Sequence, residues 1–76
     1  MRAGEEMLVV TFPTTTAALR CERLCQELGV PGRLIPVPVT ITADCGLAWA
    51  MPLRERGRLE AVAGRLELAG YYEMLL

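Results

Sequence analysis

Apolar positions along the chain follow two periods, and the switches between them predict six elements. Met7 to Phe12 is a short run of β-formers ended by Pro13, and it predicts a first strand. Thr14, Thr15 and Thr16 then offer hydroxyl caps for a helix that runs through Leu28 and stops at Gly29, with Pro31 just beyond. Within it Ala17, Cys21, Leu24, Cys25 and Leu28 recur at helical spacing and form one apolar stripe, with the charged residues largely opposite. Arg33 to Val37 predicts a second strand, and Pro36, which lacks a ladder donor, suits a sheet edge. Gly46 to Met51 predicts a third strand ended by Pro52. Its large side chains, Leu47, Trp49 and Met51, alternate with Gly46, Ala48 and Ala50, so one face is bulky and the other small.

A second helix is expected from about Arg54 to Leu68, with Leu59, Val62, Ala63 and Leu66 on one face and Gly70 as a stop. Gly57 and Gly64 weaken it by up to about 1 kcal/mol each relative to Ala. Tyr71 to Leu76 predicts the last strand. The order strand, helix, strand, strand, helix, strand is that of an α+β, ferredoxin-like βαββαβ sandwich: a four-stranded antiparallel sheet with two helices on one face. The whole chain reads as one domain, with residues 1–6 a loose N-terminal segment. Helices cover only one sheet face, yet the first strand carries apolar residues in both phases. The open face is therefore a candidate surface for homo-oligomer formation.

Length tightens this picture, because a chain of 76 residues buries only roughly 60% of the surface its unfolded form exposes. Hydrophobic residues make up 53% of the sequence and mean hydropathy is +0.32, so some apolar surface is expected to face a partner. No apolar stretch is long enough to span a bilayer and no signal-peptide h-region follows Met1, so a cytoplasmic protein with no membrane partner is expected. Eight Arg against nine acidic residues gives a net charge of −1 with no basic cluster, which sets nucleic acid aside.

Absent residue types narrow the chemistry. The chain contains no His, Lys, Ser or Asn. Serine–histidine and cysteine–histidine catalysis, Schiff-base lysines and histidine metal sites are thereby excluded. Cysteine remains as nucleophile, at Cys21, Cys25 and Cys45. Their odd number argues for free thiols in a reducing compartment. Cys21 and Cys25 lie on the buried stripe and are read as packing residues, with i,i+4 geometry poor for a disulfide. With two of the three thiols on one helical face and no fourth ligand, no metal site and no cofactor are expected.

Cys45 is different. In the βαββαβ topology the connection before the third strand returns to the end where the first strand hands over to the first helix, so Cys45 is expected beside Thr14, Thr15 and Thr16. Helix N-termini present unpaired N–H donors and favour anions, so a thiolate or persulfide placed there is stabilised. Gly46 beside it would let a partner or a sulfur adduct approach closely, while the Asp44 carboxylate opposes a second negative charge. The bland alternatives are a loop cysteine with no role and threonines that only cap a helix. Pro36-Val-Pro38 reads as a stiff strand exit and Trp49 as core or interface packing.

Three segments carry a likeness to a known family: Thr11-Phe-Pro-Thr-Thr-Thr-Ala-Ala18, Gly29-Val-Pro-Gly-Arg-Leu-Ile-Pro-Val-Pro38 and Cys45-Gly-Leu-Ala48. Together they resemble the family of small bacterial proteins named "Putative Se/S carrier protein-like". The resemblance implies a sulfur or selenium carrier that holds a persulfide or selenopersulfide on Cys45. Its implied partners are cysteine desulfurases and selenium-metabolism proteins, and it implies a carrier rather than a turnover enzyme. Two positions depart from the family pattern: Val39 stands where an Arg usually follows the second proline, and Ala43-Asp44 replace small hydroxyl residues before the cysteine. The Cys-Pro-x-Pro sequence of the well-known sulfur-relay carriers is absent. Two other classes remain open: a non-catalytic interaction module with Cys45 incidental, and a thiol redox sensor using Cys45 alone.

Overall fold

The computed structural model describes residues 4–41 and 45–76. Four strands, β1 (Glu6–Thr11), β2 (Arg33–Pro36), β3 (Leu47–Pro52) and β4 (Gly70–Leu75), form one antiparallel sheet in the order β2-β3-β1-β4. That order, with the helices between β1 and β2 and between β3 and β4, is the expected α+β, ferredoxin-like arrangement. β1 is central because it is apolar in both phases, and it pairs with β3 (Val10↔Trp49) and with β4 (Val10↔Tyr71). Backbone bonds between Glu5 and Leu76 extend the β1–β4 ladder beyond the strand ends. The expected loose segment 1–6 is corrected accordingly: Glu6 opens β1 and Glu5 is bonded to Leu76, while residues 1–3 lie outside the described residues.

Helix α1 (Thr15–Leu28) begins at Thr14, whose extended backbone (φ −146°, ψ 160°) lets its Oγ1 accept the Ala17 N–H at 3.1 Å. It ends at Gly29 (φ 72°), where the Val30 N–H reaches the Cys25 carbonyl at 2.8 Å and buries Val30 as the closing apolar contact. Ala17, Ala18, Cys21 and Cys25 face the sheet and meet Leu8, Val10, Phe12, Trp49 and Met51 in the main core. Leu24 is half-buried at the margin of the stripe and Leu28 is exposed.

The expected second helix over 54–68 is corrected. A 3-10 turn (Leu53–Glu55) leads into a five-residue helix, α2 (Arg56–Glu60), and a second 3-10 turn covers Ala63–Arg65. Gly57 inside α2 and Gly64 inside the second turn raise the entropic cost of a continuous helix, and no side chain caps either end of α2. Of the expected apolar face only Leu59 is fully buried, so β4 receives little cover on the helical side.

The second sheet face differs from expectation too. Met7, Val9, Ala48 and Ala50 are buried there together with Ile41, which belongs to the β2–β3 connection. Small side chains at 48 and 50 leave room for that connection to pack on the sheet. The centre of this face is therefore covered rather than open.

Candidate functional site

Cys45 reaches its place through two local features. β1 ends at Thr11, Phe12 is driven into the core, and Pro13 and Thr14 turn the chain into α1. On the neighbouring strand, Gly46 accepts the Val37 N–H at 3.1 Å, which extends the β2–β3 ladder one step past Pro36 and delivers Cys45 to the same end of the sheet. The Thr15 Oγ1 lies 3.7 Å from the Cys45 Sγ, and the Leu47 N–H donates to that sulfur at 3.4 Å. The expected juxtaposition of Cys45 with the threonine turn is thus present.

The three threonines have separate tasks. Thr14 caps the helix, Thr15 faces the sulfur, and Thr16 lies exposed on the first turn. Gly46 is exposed, and a Cβ built on it meets nothing within 4 Å. Steric demand does not explain that glycine; it leaves open ground beside the thiol.

One expectation is overturned. Cys45 is not outside the core: it is only 5% exposed and belongs to the main apolar cluster. Packing one wall of the thiol against the cluster turns its free side toward Thr15 and the Leu47 amide. Asp44 and Ala43, whose influence on the thiol the sequence raises, lie outside the described residues, and Val39 is fully exposed.

Cys21 and Cys25 behave as packing residues. Both are fully buried, with sulfurs 3.9 Å apart. Burial first, and then the neighbouring Cys25 thiol, push the Cys21 thiol up to about 12. Burial also raises Cys25, partly offset by its hydrogen bond with Cys21. Trp49 is core, 1% exposed, and its ring packs against the Gly32 backbone.

Sequence reasoning missed the Leu47 amide, since a backbone donor has no residue-type signal. Chemically, the Cys45 sulfur at the head of a 14-residue helix has one backbone N–H donor at 3.4 Å and one hydroxyl at 3.7 Å that can donate or accept. A family model described as "Putative Se/S carrier protein-like" matches residues 7–73, which include every residue of this site. Searches of curated proteins and of solved structures found no match.

Proposed function

This chain belongs to the Se/S carrier protein-like family, and on that premise we propose that it carries sulfur or selenium as a persulfide or selenopersulfide on Cys45. The observation that carries the reading is the convergence of the Thr15 hydroxyl and the Leu47 N–H on one sulfur at a helix start. The Cys45 thiolate attacks the outer sulfur of a donor persulfide. The donor S–S bond breaks, the donor leaves as a thiolate, and the new S–S bond holds the cargo on Cys45 with no net oxidation. Attack on the carried atom by an acceptor thiolate reverses the roles. A general base is not required once the thiol is ionised, which fits a chain without His or Lys.

Burial constrains this reading. A persulfide is one S–S bond of about 2 Å longer than the thiol. Directed between Thr15 and Gly46, both exposed, that bond brings the carried atom outward to where a partner's thiol can meet it. Cysteine desulfurases and selenium-metabolism proteins are the donors and acceptors proposed.

The test is incubation with a cysteine desulfurase and cysteine, followed by intact-mass measurement. One added sulfur atom is expected on the parent and none on Cys45→Ala. Equal gain by the variant overturns the reading. A second reading, an interaction module in which Cys45 only packs, draws on its 5% exposure. It predicts no sulfur gain on either protein.

A further inference from the structure

A loaded Cys45 offers an acceptor thiolate two atoms to attack, and the products differ. Attack on the outer atom transfers it and returns Cys45 as a thiolate. Attack on the Cys45 Sγ leaves a disulfide on Cys45 and frees the cargo as hydrosulfide or selenide. On an unhindered persulfide the leaving group favours the second course, because hydrosulfide is less basic than an alkyl thiolate.

Access reverses that preference. Thiolate attack is in line with the bond it breaks, so a nucleophile reaching the Sγ must come from the side opposite the carried atom. With the carried atom directed outward between Thr15 and Gly46, that side is the main apolar cluster, into which Cys45 packs at 5% exposure. The outer atom meets no such wall: Thr15 and Gly46 are exposed, and a Cβ on Gly46 touches nothing within 4 Å. Attack by the chain's own thiols is closed as well. Cys21 lies six residues along α1 from Thr15, a rise of about 9 Å, and Cys25 lies a further turn away. Their buried sulfurs face each other at 3.9 Å.

On the carrier reading, we propose that burial of the Cys45 sulfur restricts the acceptor to the outer atom, so that the cargo leaves only by transfer to an acceptor thiol and not as free hydrosulfide or selenide. In that step the acceptor thiolate forms a bond to the outer atom. The S–S or S–Se bond to Cys45 breaks, its electron pair goes to the Sγ, and Cys45 departs as a thiolate beside the Leu47 N–H. The acceptor becomes a persulfide or selenopersulfide, with no net oxidation. The reaction that consumes this carrier's product is therefore a second chalcogen transfer, and reduction to sulfide or selenide takes place on the acceptor, with a further thiol as reductant.

Inorganic polysulfide provides a loading route without a desulfurase: the Cys45 thiolate takes a terminal sulfur from it and leaves a polysulfide one atom shorter. After the excess is removed, one equivalent of glutathione is added, the reaction is stopped with an alkylating agent, and intact mass is read. The bare Cys45 thiol formed is expected to exceed the Cys45–glutathione disulfide by roughly tenfold or more. The same loaded protein unfolded in urea is expected to reverse that ratio, through disulfides of Cys45 with glutathione, Cys21 or Cys25. A glutathione disulfide formed as readily on the folded as on the unfolded protein overturns the inference and leaves the carrier reading standing. Loading by polysulfide but not by a desulfurase, with the glutathione products as expected, counts against the desulfurase as donor alone. No loading by polysulfide overturns both.

Discussion

The Thr15 hydroxyl stands 3.7 Å from the Cys45 sulfur although thirty residues separate them in the chain. Removing it while keeping the side-chain shape isolates its contribution. A hydrogen bond to a group that becomes charged contributes about 1.5 kcal/mol or more. Thr15→Val is therefore expected to slow alkylation of Cys45 by roughly tenfold at neutral pH. Labelling rates followed by peptide mass analysis measure it, and an unchanged rate in a folded variant removes Thr15 from the site.

Cys21 and Cys25 are expected to stay unlabelled in the native protein, being buried and protonated. The same burial links stability to alkaline pH. The Cys21 thiol moves from an ordinary value of 9.0 to about 12. Above pH 9 the unfolded chain has released this proton and the folded chain has kept it. The stabilisation is complete below pH 9 and declines as pH rises toward 12, with a slope of at most ~1.4 kcal/mol per pH unit for each such thiol. Urea unfolding at several pH values checks this, and Cys21→Ala is expected to flatten the slope.

Two glycines predict opposite outcomes. At Gly32 φ is 138°, and a Cβ would lie 2.7 Å from both the Trp49 ring and the Ala50 carbonyl. Neither neighbour can yield, since both are pinned in β3. Gly32→Ala is expected to cost about 3 kcal/mol or more. Gly46→Ala meets open space and is expected within about 0.5 kcal/mol of the parent. Thermal melts of the two variants separate them.

The interruption of the second helix is testable by restoring helix-forming residues. A Cβ at Gly57 or at Gly64 meets nothing within 4 Å. Gly57→Ala is expected to add up to about 1 kcal/mol of stability, and the double change with Gly64→Ala to raise helical circular dichroism as well. Loss of stability on either change would place the break in tertiary packing and not in the glycines.

Much of the fold was legible because its signals are local. The strand at Met7 to Phe12, the cap at Thr14 and the stop at Gly29 each depend on residues within a few positions of one another, and all appear in the structure. The second helix was over-extended because its apolar spacing survives through Leu66 while two glycines cut the backbone. Spacing reports which side chains could share a face, and it does not count the entropy of the backbone beneath them.

For the site, residue types alone left cysteine as the nucleophile, and strand order alone brought Cys45 to the Thr15 turn. Its depth was a different matter. Whether a thiol near a helix start is covered depends on which side chains converge on it from β1, β3 and α1, a sum over contacts distant in sequence. The same holds for Ile41 on the second sheet face and for the Leu47 amide on the sulfur, which no residue type encodes. Short-range propensity and pattern determined the elements and the candidate atom. Long-range packing decided how far that atom is buried, what donates to it, and which strand edge stays uncovered.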